Sequence, residues 1–209
     1  MDPYILVVDD HPLFRAALSL ALARAAPGVR VTEAESLSAA RAALEASGQP
    51  MLALLDLKLP DVDGFGGLIE LRDRLGGAPV AIVSGGEAQG VVAMAMSLGA
   101  AGFIPKSASL DVMVEAIACL IAGGVWAPSD ADDPLDEVGA RIAALTHAQQ
   151  RVLVGLQRGL LNKQIAYDLG VTEATVKAHL TAIFRKLGVL SRTQAVLLAK
   201  QRLSGDGEA

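Results

Sequence analysis

The chain has 209 residues, 52% of them hydrophobic, with one cysteine; that composition supports one large core or two small ones and excludes a mainly disordered chain or a disulfide-built scaffold. No run approaches the roughly 18 apolar residues of a membrane span and the N-terminus opens on the acid Asp2, so neither a span nor a signal peptide is expected, and the expected location is cytoplasmic. The net charge of −5 is divided along the chain: residues 1–140 hold 8 Lys/Arg against 19 Asp/Glu, and residues 141–203 hold 10 against 2, which predicts an acidic module followed by a basic one suited to a polyanion.

In chain order, short apolar runs at Tyr4–Val8, Val29–Ala34, Met51–Leu55, Pro79–Val83 and Ala101–Ile104 lack alternation, as buried parallel strands do. Between and after them Pro12–Ala25, Leu37–Ala46, Gly64–Leu75, Ala88–Leu98 and Leu110–Ala122 repeat apolar residues at helical spacing, for example Phe14, Leu18 and Leu22. Asp10 or His11 is placed to cap the first helix at Pro12, and Cys119 falls on an apolar helix face as a core residue. The pattern is a doubly wound (βα)5 sheet.

In such a sheet ligands bind beyond the carboxyl ends of the strands. Asp9 and Asp10 end the first strand, Asp56 the third and Ser84 the fourth, while Lys106 follows the fifth. Clustered carboxylates repel and call for a cation, and Mg²⁺, which takes a few carboxylates and keeps its waters, is the expected occupant. With that charge balanced, an oxygen of Asp56 is placed to attack phosphorus, while Lys106 and the Ser84 hydroxyl hold the transferred group's oxygens.

"AGGVWAPSDADDPLDEVGA", Ala122–Ala140, has the Gly, Pro and acid content of an exposed linker. Beyond it Thr146–Gly159, Asn162–Leu169, Glu173–Leu187 and Arg192–Leu203 read as helices, and "SGDGEA" as a frayed tail. Thr146 with Gln149 fits a capping box. Gly170 suits a tight turn and Thr172 an N-cap, the sequence form of a helix-turn-helix. Val176, Leu180, Ile183 and Leu187 make an inward stripe, and the opposite face carries Lys177, Ala178, Thr181 and Arg185, a small basic surface fit for the major groove. Arg185 and Lys186 lie where cations complement the helix dipole. The expected layout is residues 1–123, a linker 124–140, a small all-α domain 141–203 and a tail 204–209.

"LVVDDHPLFR", "LLDLKLPDVDGFG", "AIVSGG" and "GAAGFIPKSAS" together resemble the receiver domain of bacterial two-component response regulators across residues 1–123. The resemblance implies that Asp56 is the phospho-acceptor and that Asp9, Asp10, Asp56 and the backbone carbonyl of Lys58 bind Mg²⁺. It implies that Lys106 contacts the phosphoryl group, and that Ser84 and Phe103 switch position on phosphorylation. Residues 145–196, around "TEATVKAHLTAIFRKLGV", resemble the LuxR-type helix-turn-helix of the NarL/FixJ response regulators. That implies a recognition helix at Glu173–Leu187, base-edge contacts near Lys177, Ala178 and Thr181, and phosphate contacts from Lys163, Thr175, Lys177 and Arg192. The chain departs from the family at "THAQQR", where an acidic, Pro-containing turn is usual.

The expectation is therefore a transcriptional regulator of double-stranded DNA, phosphorylated at Asp56 by a partner histidine kinase and dimeric when phosphorylated or on DNA. It is not an enzyme beyond assisting its own phosphotransfer and dephosphorylation. The family's usual resting form has the receiver masking the recognition helix, and the opposite charges of the two modules favour that. Two alternatives stand beside it: a DNA-binding regulator independent of phosphorylation, and a phosphotransfer or interaction module.

Overall fold

Strand β1, Tyr4–Val8, is buried along its whole length, as a strand covered on both faces must be. It is an inner strand of a parallel sheet in a computed structural model that describes residues 3–85, 90–129 and 134–203. The other strands are β2 (Arg30–Ala34), β3 (Leu52–Asp56), β6 (Val80–Ser84) and β7 (Gly102–Pro105), in the order β2-β1-β3-β6-β7. The order reverses direction between β1 and β3, which opens the crevice where this class of sheet binds ligands. Alternate residues serve opposite faces: Ile5 and Val7 pack with Leu18 and Leu22 of α1 (Pro12–Ala25) and Ile117 of α5 (Leu110–Ile121). Leu6 and Val8 pack on the other side, with Leu37 of α2 (Leu37–Ser47), Leu68 of α3 (Gly66–Arg74) and Met94 of α4 (Val91–Ser97). Residues 88 and 89 of the fourth expected helix, and the tail 204–209, lie outside the described residues.

The sequence pattern missed two elements. One is the hairpin β4 (Lys58–Leu59) and β5 (Val62–Asp63), too short to show any period. Its turn residue Asp61 accepts hydrogen bonds from Leu37 N at 2.9 Å and Ser38 N at 2.8 Å, capping α2 from a distant part of the chain. The other is α6, Glu137–Ala143, which starts within the stretch expected to be linker and runs past its expected end at residue 140. There the acids are helix-starting residues: Asp136 Oδ1 accepts from Gly139 N at 2.9 Å, and Glu137 pairs with Arg141 at 2.6 Å.

The linker's first residues are also ordered against the sheet. Phe103 N donates to Trp126 O at 2.9 Å and Trp126 N to Ala101 O at 3.3 Å, so Trp126 pairs with the outer edge of β7. Gly102 permits this approach, because a Cβ there would lie 2.6 Å from Trp126 O. Cys119, expected in the core, is half-buried, with Sγ 3.6 Å from Val125 O.

The C-terminal helices are α7 (His147–Gln157), α8 (Asn162–Leu169), α9 (Glu173–Leu187) and α10 (Arg192–Leu203). The Thr146–Gln149 capping box is formed. Gly170, at φ +65°, makes the turn into α9, and Thr172 Oγ1 caps that helix by accepting from Thr175 N at 3.1 Å. Val176, Leu180, Ile183 and Leu187 are buried as expected.

Contact between the two modules runs through α3 and α7. Arg151 pairs with Asp73 at 2.9 Å and Arg158 with Glu70 at 3.5 Å. A Cβ on Gly66 would meet Val154 at 3.8 Å, and buried apolar residues continue from the second face of the sheet into the helical core. This corrects the masking expectation. The acidic surface does meet basic residues, but on α7, while Lys177, Ala178 and Thr181 of α9 remain exposed.

Candidate functional site

Parallel register assembles the acidic pocket. Val8 pairs with Leu55, so the next residues, Asp9 and Asp56, lie side by side where β1 and β3 end. Ser84 pairs with Pro105 at the ends of β6 and β7, and Lys106 follows immediately, its backbone N donating to Ser84 O at 2.8 Å. Asp9, Asp56 and Ser84 are buried, Asp10 is exposed at the rim, and Phe103 is buried on β7.

Lys106 is the counter-ion of the pocket. Its Nζ donates to Asp56 Oδ2 at 2.7 Å, lies 2.6 Å from Asp9 Oδ2, and stands over the Phe14 ring at 4.7 Å from its centre. Asp56 Oδ1 accepts from Lys58 N at 3.1 Å, and Asp9 Oδ1 from His11 N at 2.8 Å. Burial pushes the Asp56 carboxyl above its ordinary range, against the hydrogen bonds of Lys106 and Lys58 and the charge of Lys106, with the charge of Asp9 adding to the rise.

His11 joins this cluster, which sequence reasoning did not foresee. It precedes α1 as the N-cap residue but its side chain makes no cap bond. Instead Nδ1 lies 2.7 Å from Asp10 Oδ1 and 3.4 Å from Asp9 Oδ1. The one available signal was its adjacency to the acids in "DDHP". Ligand atoms of Asp9, Asp10, His11 and Asp56 all lie within 4.8 Å of one another. Asp9 Oδ2 is buried and, although ion-paired with Lys106, is out of line for a hydrogen bond and accepts none. Three carboxylates against one ammonium, with a buried oxygen short of a donor, form an acidic pocket fitted to a hard cation. Beside it a groove of about 660 Å³ is lined by Leu13, Phe14, Lys58 and Met113 among others.

On the helical module Lys163, Lys177, Ala178 and Thr181 are exposed and Thr175 is half-buried, its Oγ1 2.9 Å from Thr172 Oγ1. Arg192 differs from the others. Its guanidinium donates to Leu160 O at 2.5 Å and to Asn162 Oδ1 at 3.4 Å, tying the start of α10 to the turn before α8. Lys186 is no solvated helix end either, because its Nζ donates to Ala144 O at 2.8 Å and Gln149 Oε1 at 2.9 Å. Arg185 is exposed. Among the described residues no helix is long and apolar enough to cross a membrane.

Residues 5–118 match the family model for the response regulator receiver domain, and residues 143–199 that for the bacterial regulatory proteins of the luxR family. The chain is 41% identical over 207 residues to the glycerol metabolism activator of Pseudomonas putida, covering 93% of this chain and 94% of that protein. A LuxR family DNA-binding response regulator from Silicibacter pomeroyi superimposes with a TM-score of 0.53 at 34% identity, over 62% of this chain and 98% of that one. The response regulator RcsB in its DNA complex shares the fold, with a TM-score of 0.58 at 18% identity over 97% of this chain and 100% of that one. The chain therefore belongs to the two-component response regulators that join a receiver domain to a LuxR-type helix-turn-helix, and is a DNA-binding regulator of transcription.

Proposed function

We propose that Asp56 is the phospho-acceptor of this regulator and that a histidine kinase is its donor. The observation that carries this is the buried Asp56 carboxylate at the end of β3, 2.7 Å from Lys106 Nζ and beside Asp9. Asp9, Asp10, Asp56 and the carbonyl of Lys58 would hold Mg²⁺, which when bound balances carboxylate and phosphoryl charge. An oxygen of Asp56 attacks the phosphorus of a phosphohistidine, the P–N bond breaks, and an acyl phosphate forms while the departing imidazole takes up a proton. Lys106 passes from the carboxylate to the phosphoryl oxygens, and Ser84 and Phe103 follow as the switch residues. The receiver thus assists its own phosphorylation and dephosphorylation.

The working units are a receiver at 1–123, a linker at 124–140, the helix-turn-helix domain at 141–203 and a tail at 204–209. The DNA face comprises Lys163, Thr175, Lys177, Ala178 and Thr181, with Arg192 holding the module in shape. The regulator acts in the cytoplasm on double-stranded DNA, as a homodimer once phosphorylated or on DNA.

The test is intact mass after incubation with Mg²⁺ and acetyl phosphate. One phosphoryl adduct on the wild type and none on Asp56→Asn is expected; an equal adduct on both moves the acceptor elsewhere. A second reading, DNA binding independent of phosphorylation, is favoured by the exposure of Lys177, Ala178 and Thr181. It predicts equal DNA affinity for wild type and Asp56→Asn under phosphorylating conditions.

A further inference from the structure

Helix α9 presents an unusual choice of chemistry to a major groove. Its sequence, EATVKAHLTAIFRKL, contains no Asn or Gln, and its one acid, Glu173, is confined to the first turn. The amide pairing that reads adenine through N6 and N7 is therefore absent. On the exposed face Lys177 carries a charge that forms no ion pair among the described residues, and Ala178 offers only a methyl group.

Thr181 completes the face. Its hydroxyl donates to Lys177 O at 3.1 Å, one turn back along the helix. That bond selects one of the two side-chain rotamers open to threonine in a helix and satisfies the hydroxyl hydrogen internally. The hydroxyl oxygen can still accept, but thymine shows the major groove only an acceptor and a methyl. Toward thymine, what Thr181 offers is therefore its methyl group, whose burial against another methyl leaves no donor stranded. Ala178 lies three residues earlier on the same face, so its methyl extends the apolar surface.

We propose that Thr181 reads thymine through its methyl group and not through its hydroxyl, with Lys177 supplying the polar contact to a guanine O6 and N7 in the same half-site. This deepens the reading of α9 as the base-contacting helix and rests on it. Thr181 is then a specificity-determining residue, and its selectivity survives loss of the hydroxyl but not of the methyl.

The experiment uses the full-length chain, with and without acetyl phosphate, to select sites from a randomised duplex pool. Each thymine of the selected half-site is then replaced in turn by deoxyuridine, which removes only the C5 methyl. The expected result is a single position at which uracil costs the wild type about fourfold in affinity, the worth of one buried methyl group. Thr181→Val keeps that discrimination and Thr181→Ser brings the ratio close to one, with helix content by circular dichroism showing both variants folded. Equal binding of thymine and uracil at every position overturns the proposal, as does undiminished discrimination by Thr181→Ser. Failure of the wild type to enrich any sequence overturns it at a different step, because the reading of α9 as a base reader then falls first.

Discussion

At the scale of single residues, the cost of the acidic pocket is concentrated in Asp56. Its carboxyl is driven above the ordinary 3.8 chiefly by burial. In the folded protein it therefore holds its proton to higher pH than in the unfolded chain, so stability falls as pH rises from the ordinary value through the raised one. The penalty is fully in force above the raised value. Asp56→Asn is expected to raise the melting temperature at pH 7 in metal-free buffer, with the gain shrinking as pH falls from the raised value toward the ordinary one and absent below it. Mg²⁺ should stabilise the wild type and leave the variant nearly unmoved. A variant that melts below the wild type at pH 7 would show that the Lys106 pairing outweighs burial. The same scale explains Arg192 and Lys186. Both are cations in a basic domain, yet their heads are taken up by Leu160 O and Asn162 Oδ1, and by Ala144 O and Gln149 Oε1.

At the scale of elements, two local designs are open to direct test. The ammonium of Lys186 meets a neutral amide at Gln149, which also closes the α7 capping box by accepting from Thr146 N at 3.0 Å. Gln149→Glu keeps the box and turns the Lys186 contact from an ammonium–amide hydrogen bond into an ion pair, so a gain of roughly 1 kcal/mol in the urea unfolding of the helical module is expected. A loss would mean that the cost of burying the carboxylate exceeds the pairing. The second design is the linker segment on the outer edge of β7, which covers an otherwise open strand edge. Gly102→Ala places a Cβ 2.6 Å from Trp126 O and should push the segment off. Trp126 is the chain's single tryptophan, so the displacement reads out as a red-shifted emission; an unchanged spectrum would mean that the strand yields instead.

At the scale of the whole molecule, the modules meet through charges of opposite sign on α3 and α7. Glu70 anchors Arg41 at 2.5 Å and Arg74 at 3.0 Å within the receiver and reaches Arg158 of α7 at 3.5 Å. Burial by itself would raise the Glu70 carboxyl, but the hydrogen bonds and charges of Arg41 and Arg74 hold it below its ordinary 4.5. The stabilisation is present above that ordinary value and is lost as pH falls through the depressed one, so this contact persists throughout the neutral range. Reversing the partner pair with Arg151→Asp sets like charges against each other at Asp73. The radius of gyration by small-angle scattering should rise, and an unchanged radius would show that the apolar contact around Val154 holds the modules together without the ion pairs.

The sequence by itself determined the two-module division, the ordered strands and helices, and the arrival of Asp9, Asp10, Asp56, Ser84 and Lys106 at one sheet edge. Apolar periodicity and local sterics govern strands and helices, and the doubly wound topology carries each strand end to the same side. The bounds of Tyr4–Val8, Pro12–Ala25, Asn162–Leu169 and Glu173–Leu187 are those read from the chain. Tertiary structure alone decided which partner each long or short-range polar side chain took. His11 turned from a helix cap into the acid cluster, Lys106 bridged Asp9 and Asp56, and Asp136 became the cap of α6. The receiver met α7 and left Lys177, Ala178 and Thr181 of α9 exposed. Those choices depend on distances between residues far apart in the chain and on the desolvation that packing imposes, neither of which any local pattern of residues encodes.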